Sequence, residues 1–257
     1  MSAYDLDRRA AGGGLNPTLL RIELLRVLRN KRTMIFTVVM PVAFFFLFGT
    51  NSAYANEVVG NGNVAGVIMT SMALYGAMIA TAATGSTVSV ERAQGWSRQL
   101  RLTPLRGSAY IVVKVAVALA IGLIPVLAVY ACGAARGAHM STAAWIVSAV
   151  IVWLGSSLFA AFGLFVGYLL PSENAMQVIG PAMALLAFGG GLFMPIPDHG
   201  FFHWFSTFTP MWGVSGLAHA PQTGWSNWWQ WVANLVVWLA IFVGGAVWRF
   251  RADTARV

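Results

Sequence analysis

The 257-residue chain has the length of one or two soluble domains, yet 58% of it is hydrophobic and only 9% charged, and its mean hydropathy is +0.70. Too little polar surface remains to clothe a soluble globule, which excludes a water-soluble enzyme and points to an all-α integral membrane protein. The net charge of +8 is carried by residues between long apolar runs, so the expected partner is an anionic membrane surface and not nucleic acid.

In chain order, the polar, Gly-rich stretch 1–14 lacks the short apolar core and small-residue cleavage site of a signal peptide. Asn16 is placed to cap a helix with Pro17 at its first position and Leu15 stapling against Leu20. Leu20, Leu24, Val27 and Leu28 would share one face of it, with Arg21, Arg26, Arg29 and Arg32 around the remainder. The segment 1–32 is therefore expected to be a tail and an amphipathic interface helix; a snorkelling basic flank of the first span is the alternative.

Crossing the hydrocarbon takes about 20 mostly apolar residues. Six stretches qualify, at 33–50, 64–90, 109–131, 142–170, 175–194 and 228–248, giving a transmembrane domain over 33–248 and a tail over 249–257. Their continuous apolarity lacks the alternation of a membrane β-barrel. Pro41, Pro125 and Pro181 are candidate kinks. Gly163 and Gly167, four apart, allow close helix approach, either within the chain or to a second copy. Cys132, the single cysteine, sits in an Ala/Gly-rich run and is expected to be a packed thiol.

Lys and Arg cluster before the first span, in the connection after the second (Arg92, Arg98, Arg101, Arg106) and in the tail (Arg249, Arg251, Arg256), while Arg136 alone falls on the other side. The positive-inside rule then places both termini and the 91–108 loop in the cytoplasm. Trp225, Trp228, Trp229 and Trp231 mark the outer start of the last span, where indoles favour the headgroup level. Lys114, just inside the third span, is expected to snorkel to the cytoplasmic edge.

The 91–104 loop carries charges together with Trp96, Leu100 and Leu102, more apolar surface than a connector needs. It is long enough for a short helix ending at Pro104. Either a docking surface for another protein or a headgroup-level anchor would use such side chains.

With the entry helix, the pattern Glu91-Arg92, Gly95, Leu100, Thr103-Pro104 with Lys114 beyond, the run Gly189-Gly190-Gly191-Leu192-Phe193-Met194-Pro195 and the stretch Pro210-Met211-Trp212, nearly the whole chain resembles the membrane subunits of ABC type-2 exporters, closest to their drug-export branch. The resemblance implies multidrug efflux or antibiotic resistance at the cell inner (plasma) membrane, with an outer re-entrant region at about 195–222. It implies a coupling segment of Glu91, Arg92, Gly95, Trp96, Leu100, Arg101, Leu102, Thr103 and Pro104 seated in a cleft of a cytoplasmic ATPase. Two ATPases would serve two permeases, the second a copy of this chain or a close relative, and ATP and Mg would be bound by the ATPase. This chain is expected to hold no cofactor or metal, for it has no G-x-x-x-x-G-K-[ST] phosphate loop.

A hydrophobic or amphipathic cargo (drug, antibiotic or lipid-like) taken from the cytoplasm or inner leaflet suits short outer loops, with a polysaccharide or glycolipid as the alternative. Met69, Met72, Tyr75 and Met78 with Met183 and Phe188 are candidates for a deformable path, or for plain helix packing. Two other classes stay open. A membrane enzyme would use the outer loop holding Asp198, His199 and His203, where an i, i+4 His pair is one way to begin a metal site; a passive channel or scaffold would need no nucleotide partner. The spans hold no central carboxylate of the kind a proton-driven carrier uses.

Overall fold

The computed structural model describes residues 17–50, 54–95, 107–197 and 199–255. The chain is a helical membrane protein. Helix α1 (Pro17–Leu28) leads into α2 (Lys31–Phe44), which continues as a π-helical turn at Phe45–Thr50. A two-residue hairpin, β1 (Val58–Val59) and β2 (Gly62–Asn63), precedes α3 (Val64–Ser86) and α4 (Val88–Ala93). There follow α5 (Gly107–Ala135), α6 (Thr142–Gly155), α7 (Ser157–Leu169), α8 (Ser172–Gly189), α9 (Phe201–Thr207), α10 (Pro210–Thr223) and α11 (Trp228–Ala255).

Among the described residues, four helical stretches are long and apolar enough to cross a bilayer: Val64–Ala93, Ala109–Ala135, Thr142–Leu169 and Trp228–Phe250. Met34–Thr50 is a shorter apolar helix. Two of the four are interrupted at a single residue, Thr87 and Ser156, whose hydroxyls reach back to carbonyls of the preceding turn. Thr87 Oγ1 donates to Thr84 O at 2.8 Å, and Ser156 Oγ to Trp153 O at 2.6 Å.

Helix α3 is the hub, packed chiefly on α5 and α7. Its Gly, Ala, Ser and Thr side chains are what permit this, because small residues let backbones approach closely. A Cβ on Gly85 would lie 2.5 Å from Ala160 O, and one on Gly167 3.1 Å from Ser86 O. Gly163 likewise abuts the Ala82 carbonyl, so the Gly163/Gly167 pair is spent on packing within the chain. Gly76 of α3 meets two prolines at once, with Pro125 Cβ and Pro41 Cγ each 2.8 Å from where its Cβ would stand. Three helices thus touch at their thinnest points, and the π-helical turn begins four residues after Pro41.

At one end of the bundle the hairpin is stitched down. Asn63 Oδ1 accepts from Gly66 N, capping α3, and also from His139 N, while Nδ2 donates to Gly137 O. Gln222 Nε2 donates to Asn63 O at 2.9 Å and to Val59 O at 3.2 Å. Gly60, at φ +59°, makes the turn that this approach requires. At the opposite end lie α1, the end of α4, the start of α5 and the ends of α7 and α11. The second apolar helical stretch runs on through α4 to Ala93.

Candidate functional site

The end of the bundle that carries α1 holds a cluster of four charges, of which Glu23, Glu91 and Lys114 are buried while the Arg26 side chain is 44% exposed. Lys114, 1% exposed, donates from Nζ to Glu23 Oε2 at 2.8 Å and to Glu91 Oε1. Arg26 donates to the same two carboxylates, at 2.8 Å to Glu23 and also to Glu91. Tyr110 closes the ring by donating its hydroxyl to Glu91 Oε2, and the Lys114 ammonium lies 5.4 Å from the centre of its ring.

Three helices supply these groups, and each does so for a local reason. In α1, Glu23 and Arg26 are three apart and so share a side; Leu24 and Val27 pack against Val113, Val117 and Ile121 of α5 and press that side inward. In α5, Tyr110 and Lys114 are one turn apart. Glu91 reaches the same place because α4 carries on from α3 beyond Thr87.

Two cations and two carboxylates sum to zero, which is the condition under which such burial is tolerable: an isolated charge would cost several kcal/mol, and pairing with hydrogen bonds offsets it. Burial works to lower the Arg26 pKa, but Glu91 and Glu23 outweigh it and hold the guanidinium above its ordinary value. The cluster is a charge-balanced joint between three helices. Chemically it can tie the 91–106 connection, the entry helix and the span that follows into one mechanical unit.

Arg92 points elsewhere. It donates to Gly167 O at 3.0 Å and Tyr168 O at 2.9 Å, at the last turn of α7, with its guanidinium 5.7 Å from the Tyr168 ring centre. Gly95 takes φ +74°, just beyond α4. Of the other sequence candidates, Trp96, Leu100, Arg101, Leu102, Thr103 and Pro104 lie outside the described residues.

Leu20 and Leu28 on α1 are 36% and 38% exposed, and Ile22 and Leu25 are exposed as well, so the helix turns an apolar side outward in addition to the one packed on α5. Arg21 and Arg29 are exposed. Met69, Met72, Met78 and Met183 are buried within the chain's own core. Tyr75 and Phe188 instead join an aromatic group, in which the Phe193 ring is 5.2 Å from Tyr75, 6.2 Å from Phe44 and 4.8 Å from Phe188. His199 is exposed, and His203 Nδ1 is 3.0 Å from Pro197 O; among the described residues no three His, Cys, Asp or Glu side chains gather.

The expected snorkelling of Lys114 is replaced by burial, because Glu91 and Glu23, 23 and 91 positions away in sequence, neutralise it where it stands. Glu23 went unnoticed in the sequence; an acid on an otherwise basic and apolar helix, with Arg three positions on, is the signal that would have marked it.

The sequence profile of the ABC-2 type transporter family matches residues 16–220. A curated relative, the "Putative transport permease YvfS" of Bacillus subtilis (strain 168), is 28% identical over 228 residues, which span 86% of this chain and 91% of the relative.

Proposed function

The chain belongs to the ABC-2 type transporter family and is a membrane subunit of an ABC transporter, and from that premise we propose that it is the permease half of an exporter whose 91–104 connection receives the stroke of a separate ATPase. The observation that carries this reading is the Glu23–Arg26–Glu91–Lys114 cluster, closed around the buried Lys114 ammonium. A connection docked on a moving ATPase does work on the spans only if it is rigidly joined to them. Glu91, at the root of the connection, is held by both α1 and α5 and supplies that joint.

The proposal extends to six spans, with α2 and its π-helical turn as the first and α8 as the fifth, in the inner (plasma) membrane. The bundle end bearing the ion cluster and both termini would face the cytoplasm, as the distribution of Lys and Arg favours. The α9–α10 pair would be an outer re-entrant region. Two copies of this chain, or this chain and a close relative, would work with two ATPases that bind the ATP and Mg.

The cargo we propose is hydrophobic or amphipathic, of the drug, antibiotic or lipid-like kind, which would make the complex a multidrug efflux or antibiotic resistance pump. Support comes from the aromatic group of Phe44, Tyr75, Phe188 and Phe193, an adaptable apolar surface contributed by three separate helices and the loop after α8.

The test is co-purification with a co-expressed ABC ATPase from the same organism, followed by ATP hydrolysis in lipid, for the native chain, a Leu100→Asp/Leu102→Asp variant and Glu91→Gln. The loop variant should lose the ATPase. Glu91→Gln should keep it but lose the stimulation of hydrolysis by cargo. A folded native chain that captures no ATPase would refute the proposal.

A further inference from the structure

Of the hydroxyl side chains on α3, all but one are satisfied inside the chain. Thr70, Thr81, Thr84 and Ser86 donate to carbonyls one turn back, and Ser71 Oγ lies 3.0 Å from His219 Nε2. The exception is Tyr75: among the described residues none hydrogen-bonds its hydroxyl. The buried Tyr110 and Tyr130 each have a partner, Glu91 and Ser148. An unsatisfied polar group calls for an explanation wherever it occurs, and the position of this one sharpens the need. Tyr75 stands at the midpoint of the 23-residue helix, about 16 Å of helix from either end. Neither water nor headgroups reach that depth in a hydrocarbon layer about 30 Å thick.

What surrounds the hydroxyl narrows the occupant. Tyr75 is half-buried, with the Phe193 ring at 5.2 Å and the Phe44 ring at 6.2 Å. Phe188, 4.8 Å from Phe193, and Phe48, 5.9 Å from Phe44, extend the same aromatic surface, and these two are 56% and 46% exposed. Phe48 belongs to the π-helical turn, a rare conformation that recurs at functional sites. An acyl chain lying there would cover the rings but leave the hydroxyl unpaired, which is costly in hydrocarbon. A molecule that presents an aromatic ring together with an oxygen acceptor satisfies both features at once.

We propose that Tyr75 is a specificity-determining residue of the cargo site: its hydroxyl donates to an oxygen carried on an aromatic ring system, while Phe48 and Phe188 pack on the rings. The favoured class is the aromatic ketone or quinone, over a hydrocarbon of the same shape. The site rests on the exporter reading for its role in transport, but binding itself needs no nucleotide partner, so the two can fail separately.

The experiment is photolabelling of the full chain in lipid nanodiscs with benzophenone, an aromatic ketone, followed by peptide mass spectrometry. Adducts should concentrate on the segments holding Tyr75, Phe188 and Phe193. Anthraquinone should compete with them about fivefold better than anthracene, which has the same fused rings and no oxygen; that ratio is the size of one net hydrogen bond. Tyr75→Phe keeps the ring and removes the donor, so the fold should melt unchanged and the advantage of anthraquinone should vanish, with anthracene competing as before. Adducts spread evenly over the aromatic group and the exposed surface of α11 would overturn the proposal, as would an anthraquinone advantage that survives in Tyr75→Phe. Should Tyr75→Phe instead split an assembly of two copies and leave labelling unaltered, the hydroxyl serves the contact between copies and the proposal falls. A chain that captures its ATPase yet shows no anthraquinone advantage refutes this site and leaves the exporter reading intact. The advantage in a chain that captures none upholds the site and refutes the exporter reading alone.

Discussion

Lys114 and Glu23, 91 positions apart in the chain, meet in a 2.8 Å ion pair that neither solvent nor headgroups reach. The pair binds the entry helix to the first turns of α5, and Glu91, on the same ammonium, adds the end of the preceding span. Removing one member leaves its partners buried and uncompensated.

Lys114→Met should therefore destabilise the fold by ~3–5 kcal/mol, because two carboxylates would share Arg26 alone. Lys114→Met/Glu91→Gln, which removes one charge of each sign, should recover a large part of the loss. Thermal unfolding in detergent, run on the single and double variants together, measures both. Additive losses in the double variant would show that the four groups do not act as a unit.

Gly76→Ala should cost ~1–3 kcal/mol by overpacking, since the new methyl would meet Pro41 and Pro125 together. Gly180→Ala, where nothing lies within 4 Å, serves as the comparison and should be neutral or slightly stabilising. Equal melting temperatures for the two variants would show that the three-helix junction is loosely packed.

Asn63→Ala removes three side-chain hydrogen bonds at once, to Gly66 N, His139 N and Gly137 O. The hairpin and the turn before α6 should come apart locally, at a cost of ~1–3 kcal/mol. Hydrogen exchange should accelerate at His139 and Gly66, while amides in the middle of α3 keep their protection. Unchanged exchange at His139 would mean that backbone contacts alone hold this end.

The proposed orientation is checked by labelling. In a Cys132→Ala background, Ser226→Cys places a thiol on the exposed turn before α11. A membrane-impermeant maleimide added to intact cells should label it. Labelling only after the membrane is opened would invert the topology.

Composition alone determined that the chain lives in a bilayer, because 58% hydrophobic against 9% charged residues is a balance that only lipid can solvate. Periodicity and breakers then located the helices, from Pro17 at the start of α1 to the tryptophans that open α11, since apolar length and proline act through neighbouring residues and need no tertiary context. The order of small motifs carried the family. What tertiary structure decided was which side chains share a place. Lys114 read as a snorkelling residue because its neighbours in sequence offer it no acid; its acids arrive from α1 and α4, and a pairing across 91 and 23 positions leaves no local pattern. Gly163 and Gly167 could equally have faced another copy until α3 was seen to lie on them. Charge pairing and close packing act through space, and the folded chain alone brings those distances into being.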